Sequence, residues 1–266
     1  MRSHRLALIL ASFLLTGACS TDQRTDVATG SSDARVGQLM RVAEGSSQAG
    51  DENAAADLFA RANRIAPEEP APLIGLGRSL RRLGDYESAR AAYQAALDLA
   101  PDNADALFGL GLTLLRLNEP ETAIQHLDVA AVMRPDDPAI FNALGVAQDL
   151  TGAHVEAQMA YIKGLKTSPD DAALNNNHAL SLALEGRFDE AADLMNRLTG
   201  KPAVSRRDRQ TLALIHALAG DLDAAERVAS GDLSGSELSQ NIRFYWALQT
   251  LGPAERARAV LSGSIR

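Results

Sequence analysis

Four small or turn-forming residues recur along this chain every 34 positions, and that spacing limits the fold more than any other feature of the sequence. Gly77, Ala89, Ala96 and Pro101 are followed by Gly111, Ala123, Ala130 and Pro135, and then by Gly145, Ala157, Gly164 and Pro169. Backwards, the register holds at Ala43, Ala55, Ala62 and Pro67. Forwards, it holds at Ala179 and Ala191, at Ala213 and Ala225, and at Ala247 and Ala259, while Leu198 replaces a small residue and the proline moves to Pro202. A second series runs in phase with the first: Gly50, Gly84, Gly152, Gly186 and Gly220, with Asn118 in the third unit.

Each unit reads as two apolar-periodic stretches around a glycine turn. Leu73, Leu76, Gly77, Leu80 and Leu83 share one helical stripe, and Ala89, Ala92, Tyr93, Ala96 and Leu97 share another. Small residues let two helices approach closely. The proline closes a unit because it cannot continue a helix. Asp102-Asn103, Asp136-Asp137 and Asp170-Asp171 then offer capping oxygens to the next helix start. One such hairpin cannot bury its own apolar face, so units must stack into a continuous core. The composition agrees: 46% hydrophobic but only 4% aromatic residues suits an Ala/Leu-rich helical protein better than a β-sandwich.

These are the residues of the tetratricopeptide repeat, and the chain resembles that family from about residue 36 to residue 266. The resemblance implies an all-α solenoid, a right-handed superhelix of antiparallel helix pairs. Its units fall near 36–69, 70–103, 104–137, 138–171, 172–205 and 206–239, with a C-terminal cap over 240–266 formed by helices at about 236–250 and 254–262. Asp232 and Ser230-Gly231 break the pattern of the sixth unit and shorten its second helix. Phe244, Tyr245 and Trp246 cluster in the last unit, where they either seal the core or dock a partner.

The first 18 residues form a separate element. Arg2 and Arg5 precede an apolar run from Leu6 to Leu15 and the small residues Thr16-Gly17-Ala18, the layout of a secretory signal peptide over 1–18. Leu15-Thr16-Gly17-Ala18-Cys19 resembles the lipobox of bacterial lipoproteins, in which the cysteine becomes the lipidated first residue. Cys19 is the only cysteine, so neither an internal disulfide nor a thiolate metal site is available. The polar stretch within 19–33 is expected to act as a flexible tether. Loss of the leader leaves 24 basic against 34 acidic residues, a net charge of −10, which disfavours a polyanion such as nucleic acid as partner.

No catalytic set stands out. The five histidines make no metal-ligand spacing, and no nucleophile elbow, phosphate loop or dinucleotide fingerprint is present. No enzyme activity, cofactor or metal is expected. The family resemblance implies that the first helix of each pair lines a concave groove, which places Arg78, Arg82, Phe108, Arg116, Asn142, Asn176 and Gln210 there, along with Asp149. On this reading the groove is basic at its N-terminal end. It carries amides at one register position in three successive units, suited to the backbone of an extended peptide.

Within the family, the lipobox Cys19, the run Ser205-Arg206-Arg207-Asp208-Arg209-Gln210-Thr211-Leu212 and the stretch Asn176-Asn177-His178-Ala179-Leu180 resemble the TadD group of the Flp (tight adherence) pilus machinery. That resemblance implies a periplasm-facing outer-membrane lipoprotein that helps a secretin or pilus complex assemble, anchored only through its N-terminal lipid. A general adaptor for outer-membrane biogenesis or peptidoglycan enzymes is the alternative.

Overall fold

The hairpin junctions behave as the sequence pattern requires. In a computed structural model, which describes residues 22–200 and 205–262, fourteen helices follow one another and no strand is present among the described residues. They are α1 (Asp22–Gln48), α2 (Glu52–Ile65), α3 (Pro70–Leu83), α4 (Tyr86–Leu99), α5 (Ala104–Arg116), α6 (Pro120–Met133) and α7 (Pro138–Leu150), then α8 (His154–Thr167), α9 (Ala172–Leu184), α10 (Phe188–Thr199), α11 (Arg206–Leu218), α12 (Leu222–Ala229), α13 (Gly235–Leu248) and α14 (Pro253–Ser262).

Asn103, Asp137 and Asp171, the second residue of each acidic pair, are the N-caps of α5, α7 and α9, and each accepts a backbone N–H through its side chain. Within the hairpins, Gly50, Gly84, Gly152, Gly186 and Gly220 all take φ near +85°, and Asn118 substitutes at φ 62°. That left-handed conformation ends a helix at little cost only for glycine, with asparagine the next choice.

Helices stack as consecutive pairs, and each odd-numbered helix also touches the odd-numbered helices before and after it, from α1 through α13. The odd helices therefore form one layer and the even helices the other. The repeated alanines lie between them: Ala43, Ala55, Ala62, Ala89, Ala96, Ala123, Ala130, Ala157, Ala179, Ala191, Ala213 and Ala225 are all fully buried.

Large side chains alternate with these small ones in the same 34-residue register. Phe59, Tyr93, Leu127, Tyr161 and Met195 are buried knobs on successive even helices. The Tyr93 ring lies between Gly77 of its own unit, where a Cβ would come within 3.0 Å, and Gly109 of the next, where a Cβ would come within 2.4 Å. Gly75 receives Phe59 and Gly145 receives Tyr161 in the same manner. Glycine inside these helices weakens them intrinsically, and ring burial across the interface is what it makes room for.

The chain departs from its sequence-based reading at both ends. The flexible tether expected over 19–33 is helical from Asp22 onward, as part of the 27-residue α1. The segment contains no proline, and a helix nucleated by the packed residues Val36 and Ala43 extends at one hydrogen bond per residue. Cys19 and the signal segment lie outside the described residues. At the other end, α12 has only eight residues, as Ser230-Gly231 and Asp232 foretell. The helix bounds expected for the C-terminal pair match α13 and α14, but the two do not form a capping hairpin. α13 packs on α11 and α12, whereas α14 turns back and lies against α7 and α9. Ala257, Ala259 and Val260 are buried there, and the Arg256 guanidinium fastens the turn by donating to the carbonyls of Leu248 and Leu251. Of the aromatic cluster, Tyr245 is buried and Phe244 packs beside it with ring centroids 6.3 Å apart, sealing the core, while Trp246 is 61% exposed.

Candidate protein-binding groove

The layer of odd helices forms one wall of stacked first-of-pair helices, and the candidate site residues fall along it. The structure separates them into two groups.

At the N-terminal end, the basic character expected from the sequence is cancelled locally. Arg78 lies 3.3 Å from the Glu44 carboxylate, and Arg82 lies 2.7 Å from Glu52 while donating to Ser47 Oγ at 2.6 Å. Burial pushes the Glu52 carboxyl up, but hydrogen bonds from Arg82 and Ser47 outweigh it and leave the group below its ordinary value. Arg116 donates to Tyr86 Oη and sits 5.3 Å from the centre of that ring. Phe108 is half-buried, packed on Leu107 and Ile140 through the core beneath it. Neither acidic partner, Glu44 nor Glu52, lies in the segments from which the groove was read. The sequence alone therefore hid the pairing across units.

At the C-terminal end, the amide ladder is replaced by an internal network. Asn176 is 1% exposed, and its Nδ2 donates to the Ala172 carbonyl and to Asp208 Oδ1, both at 2.6 Å. Asn177 donates to Asn142 Oδ1 at 2.8 Å, so two of the three expected groove amides hold neighbouring units together. Asn175 donates to the carbonyls of Pro169 and Asp171. The three consecutive asparagines, costly in a helix, thus serve the start of α9 and its two neighbours. Burial would raise the Asp208 carboxyl, yet hydrogen bonds from Asn176 and Ser205 hold it below its ordinary range. Gln210 stays half-buried and lines a pocket with Asn176, Leu180, Arg207 and Leu214, and this pocket is walled on its far side by Val260 and Leu261 of α14.

Asp149, also expected in the groove, is fully buried. It accepts hydrogen bonds from Ser181 Oγ at 2.7 Å, Tyr161 Oη at 2.9 Å and His154 Nδ1 at 2.8 Å. Burial and the adjacent carboxylate keep the Tyr161 hydroxyl protonated far above its usual range. The Ser181 hydroxyl faces Asp149 and the His154 backbone carbonyl, not the His154 ring, so the cluster lacks the serine–histidine contact of a nucleophilic triad. Its residues come from α7, α8 and α9, so it ties three helices together. Among the described residues no group of His, Cys, Asp and Glu could hold a metal ion.

His178, half-buried at the back of α9, titrates below its ordinary value because burial disfavours its charged form and Arg187 adds to the effect, with Asp149 opposing. The unfolded chain then takes up a proton at a pH where the folded chain does not. Stability is full above the unfolded pKa of about 6.5 and falls as pH drops through it. A His178→Gln variant is expected to lose less Tm between about pH 7 and pH 5 than the native chain, with His126, shifted down by burial as well, accounting for part of the remaining slope. Parallel slopes for the two chains in thermal melts would contradict this assignment.

A stack of antiparallel helix pairs whose first helices form a continuous inner wall, with polar and apolar side chains along it, defines a helical-repeat scaffold of the protein-binding class. The chain belongs to the tetratricopeptide repeat family: two profiles of that repeat match it, one over residues 74–138 and 156–205 and the other over 211–230. A search of curated protein sequences found no match. Among solved structures, a tetratricopeptide repeat protein of Parabacteroides merdae superposes with a TM-score of 0.68 at 20% identity, covering 86% of this chain and 92% of its own. PilF of Pseudomonas aeruginosa gives 0.65 at 18% identity, with 80% and 98% covered. PilW, described as a widely conserved type IV pilus biogenesis factor, gives 0.69 at 17% identity, with 78% and 97% covered. At these identities the likeness is one of fold.

Proposed function

We propose that this protein is a non-enzymatic envelope lipoprotein that binds other proteins through its solenoid and assists assembly of a Flp/Tad-type pilus or its secretin. The observation that carries this reading is the combination of a repeat solenoid of the tetratricopeptide type with the Leu15–Cys19 lipobox pattern. The fold likeness to PilF and PilW supports it. Lipid on Cys19 would hold the solenoid at the inner face of the outer membrane. Several acyl chains, each contributing about 0.8 kcal/mol per buried CH₂, suffice for stable anchoring.

The test is affinity capture. The mature chain with Cys19→Ser would be used as bait in envelope extracts, beside a Phe108→Ala/Arg116→Glu variant altered on the groove wall away from α14. Enrichment of a secretin or pilus subunit by the first bait, reduced at least tenfold with the second, is the expected result. Enrichment of peptidoglycan enzymes or β-barrel assembly factors would replace the pilus reading with that of a general envelope adaptor. Metabolic labelling with a fatty acid, abolished by Cys19→Ser, checks the anchor separately.

A further inference from the structure

The position of α14 says more about the partner than the groove residues do. α14 touches α7 and α9, both members of the inner layer, so the chain's own C-terminal helix lies across the face on which a partner would dock. It presents Ala257 and Val260, 2% and 5% exposed, to that face, with Leu261 one turn from Ala257 and half-buried. Outward it shows Ala254, Glu255 and Arg258. The face therefore already holds an amphipathic helix, and small residues at its contact let the two backbones approach. An extended peptide is less well served here, because Asn142 Oδ1 and Asn176 Nδ2, which would have paired with its backbone, are already engaged with Asn177, Ala172 and Asp208.

The fit of α14 is incomplete at one atom. Asn176 Oδ1 is buried and accepts no hydrogen bond among the described residues. Both partners of its Nδ2, a carbonyl and a carboxylate, are acceptors, so the amide cannot be turned to relieve it. Asn176 lines the pocket that Val260 and Leu261 wall, and both of those side chains are apolar. A buried acceptor left unpaired is unfavourable, and a ligand that supplies a donor there removes the deficit.

We infer that α14 is a displaceable resident of the groove, and that the partner is an amphipathic helix with a small-residue apolar face and a hydrogen-bond donor directed at Asn176 Oδ1. This rests on the protein-binding reading above and names the chemistry of the bound segment. Displacement is a competition between an intramolecular helix at high effective concentration and an incoming one, so a partner must match the Ala257/Val260 face and also gain the donor contact. Gly252-Pro253 begins α14, and Arg256, the residue that fastens the turn, is in its first helical turn. The helix can leave the groove without breaking the α13 contacts to α11 and α12.

The experiment uses the full mature chain with Cys19→Ser and a labelled synthetic peptide spanning residues 249–266. By fluorescence anisotropy, a chain carrying Val260→Asp, in which α14 is driven out, is expected to bind the peptide at least tenfold more tightly than the native chain. A peptide that itself carries Val260→Asp should bind neither, and one carrying Leu261→Gln should bind the opened chain more tightly than the unaltered peptide. Equal affinity of native and opened chains overturns the displaceable helix, and no gain from Leu261→Gln overturns the donor. Hydrogen exchange on the native chain decides the matter independently of how the variant folds. Amides of α14 should exchange at least tenfold faster than those of α9, and equal protection of the two overturns the proposal. Because no pilus component is present, failure here leaves the capture experiment untouched, and failure there leaves this one standing.

Discussion

Replacing Asp149 with alanine is expected to lower the folding stability by about 3–5 kcal/mol, the largest effect of any single polar change considered. The carboxylate is the common acceptor for Ser181 Oγ, Tyr161 Oη and His154 Nδ1, and both hydroxyl-bearing residues are fully buried. Each donor stranded without water costs about 1–3 kcal/mol, and Ser181 recovers only a longer contact, 3.3 Å, to the His154 carbonyl. Asp149→Asn keeps the shape but turns a donor toward donors, so it should cost nearly as much. Tyr161→Phe, which leaves the carboxylate two partners, should cost only about 1–2 kcal/mol. A double-mutant cycle between positions 149 and 161 should show a strong coupling. Denaturant melts of the four chains check this, and an Asp149→Ala loss below about 1 kcal/mol would mean the cluster does not hold α7, α8 and α9 together.

Gly109→Ala is expected to destabilise by about 2 kcal/mol, although alanine is the better helix former. The added Cβ would lie 2.4 Å from the Tyr93 ring, whose other side faces Gly77 so closely that a Cβ there too would come within 3.0 Å, which leaves the ring little room to retreat. Overpacking of a closed core costs about 1–3 kcal/mol, and a clamped ring puts this site at the upper end. The gain of about 1 kcal/mol in helix propensity only partly offsets it. Gly45→Ala in α1 isolates that gain, since nothing lies within 4 Å of the new methyl group. It should stabilise by up to about 1 kcal/mol. Opposite signs for the same substitution in thermal melts are the expected result. Like signs would show that the ring can move.

The repeat architecture was legible because every unit states it again. A 34-residue spacing, glycines at the positive-φ turns and acidic caps each depend on local geometry, and local geometry is what a periodic sequence encodes. The groove was legible only as a list of positions. Arg78 and Arg82 meet their acids 34 and 30 residues away, and Asn176 meets Asp208 at a distance of 32. These pairings cross units and change with whichever residue occupies the facing helix. Asp149 carried a faint signal, a carboxylate in the last turn of a helix otherwise apolar around it, with Ser181 occupying the small-residue position one unit after Ala147. The reversal of α14 carried none, since its own sequence is compatible with pairing to α13. It depends on where the stacking of the thirteen preceding helices leaves an open apolar surface.

The knobs shared between units bear on how the molecule yields under load. From Phe59 to Met195 each successive unit buries a bulky side chain at one register position, with Phe59 and Tyr93 reaching glycines of the following unit, but in the same register α12 offers only Ala229. An interface keyed by a ring resists sliding, whereas one faced with alanine resists only separation. The keyed interfaces thus run through the first five units, including the two whose first helices, α7 and α9, carry α14, and the alanine-faced one lies beyond them. A load drawn along the stack would therefore strain the alanine-faced joint before the keyed ones.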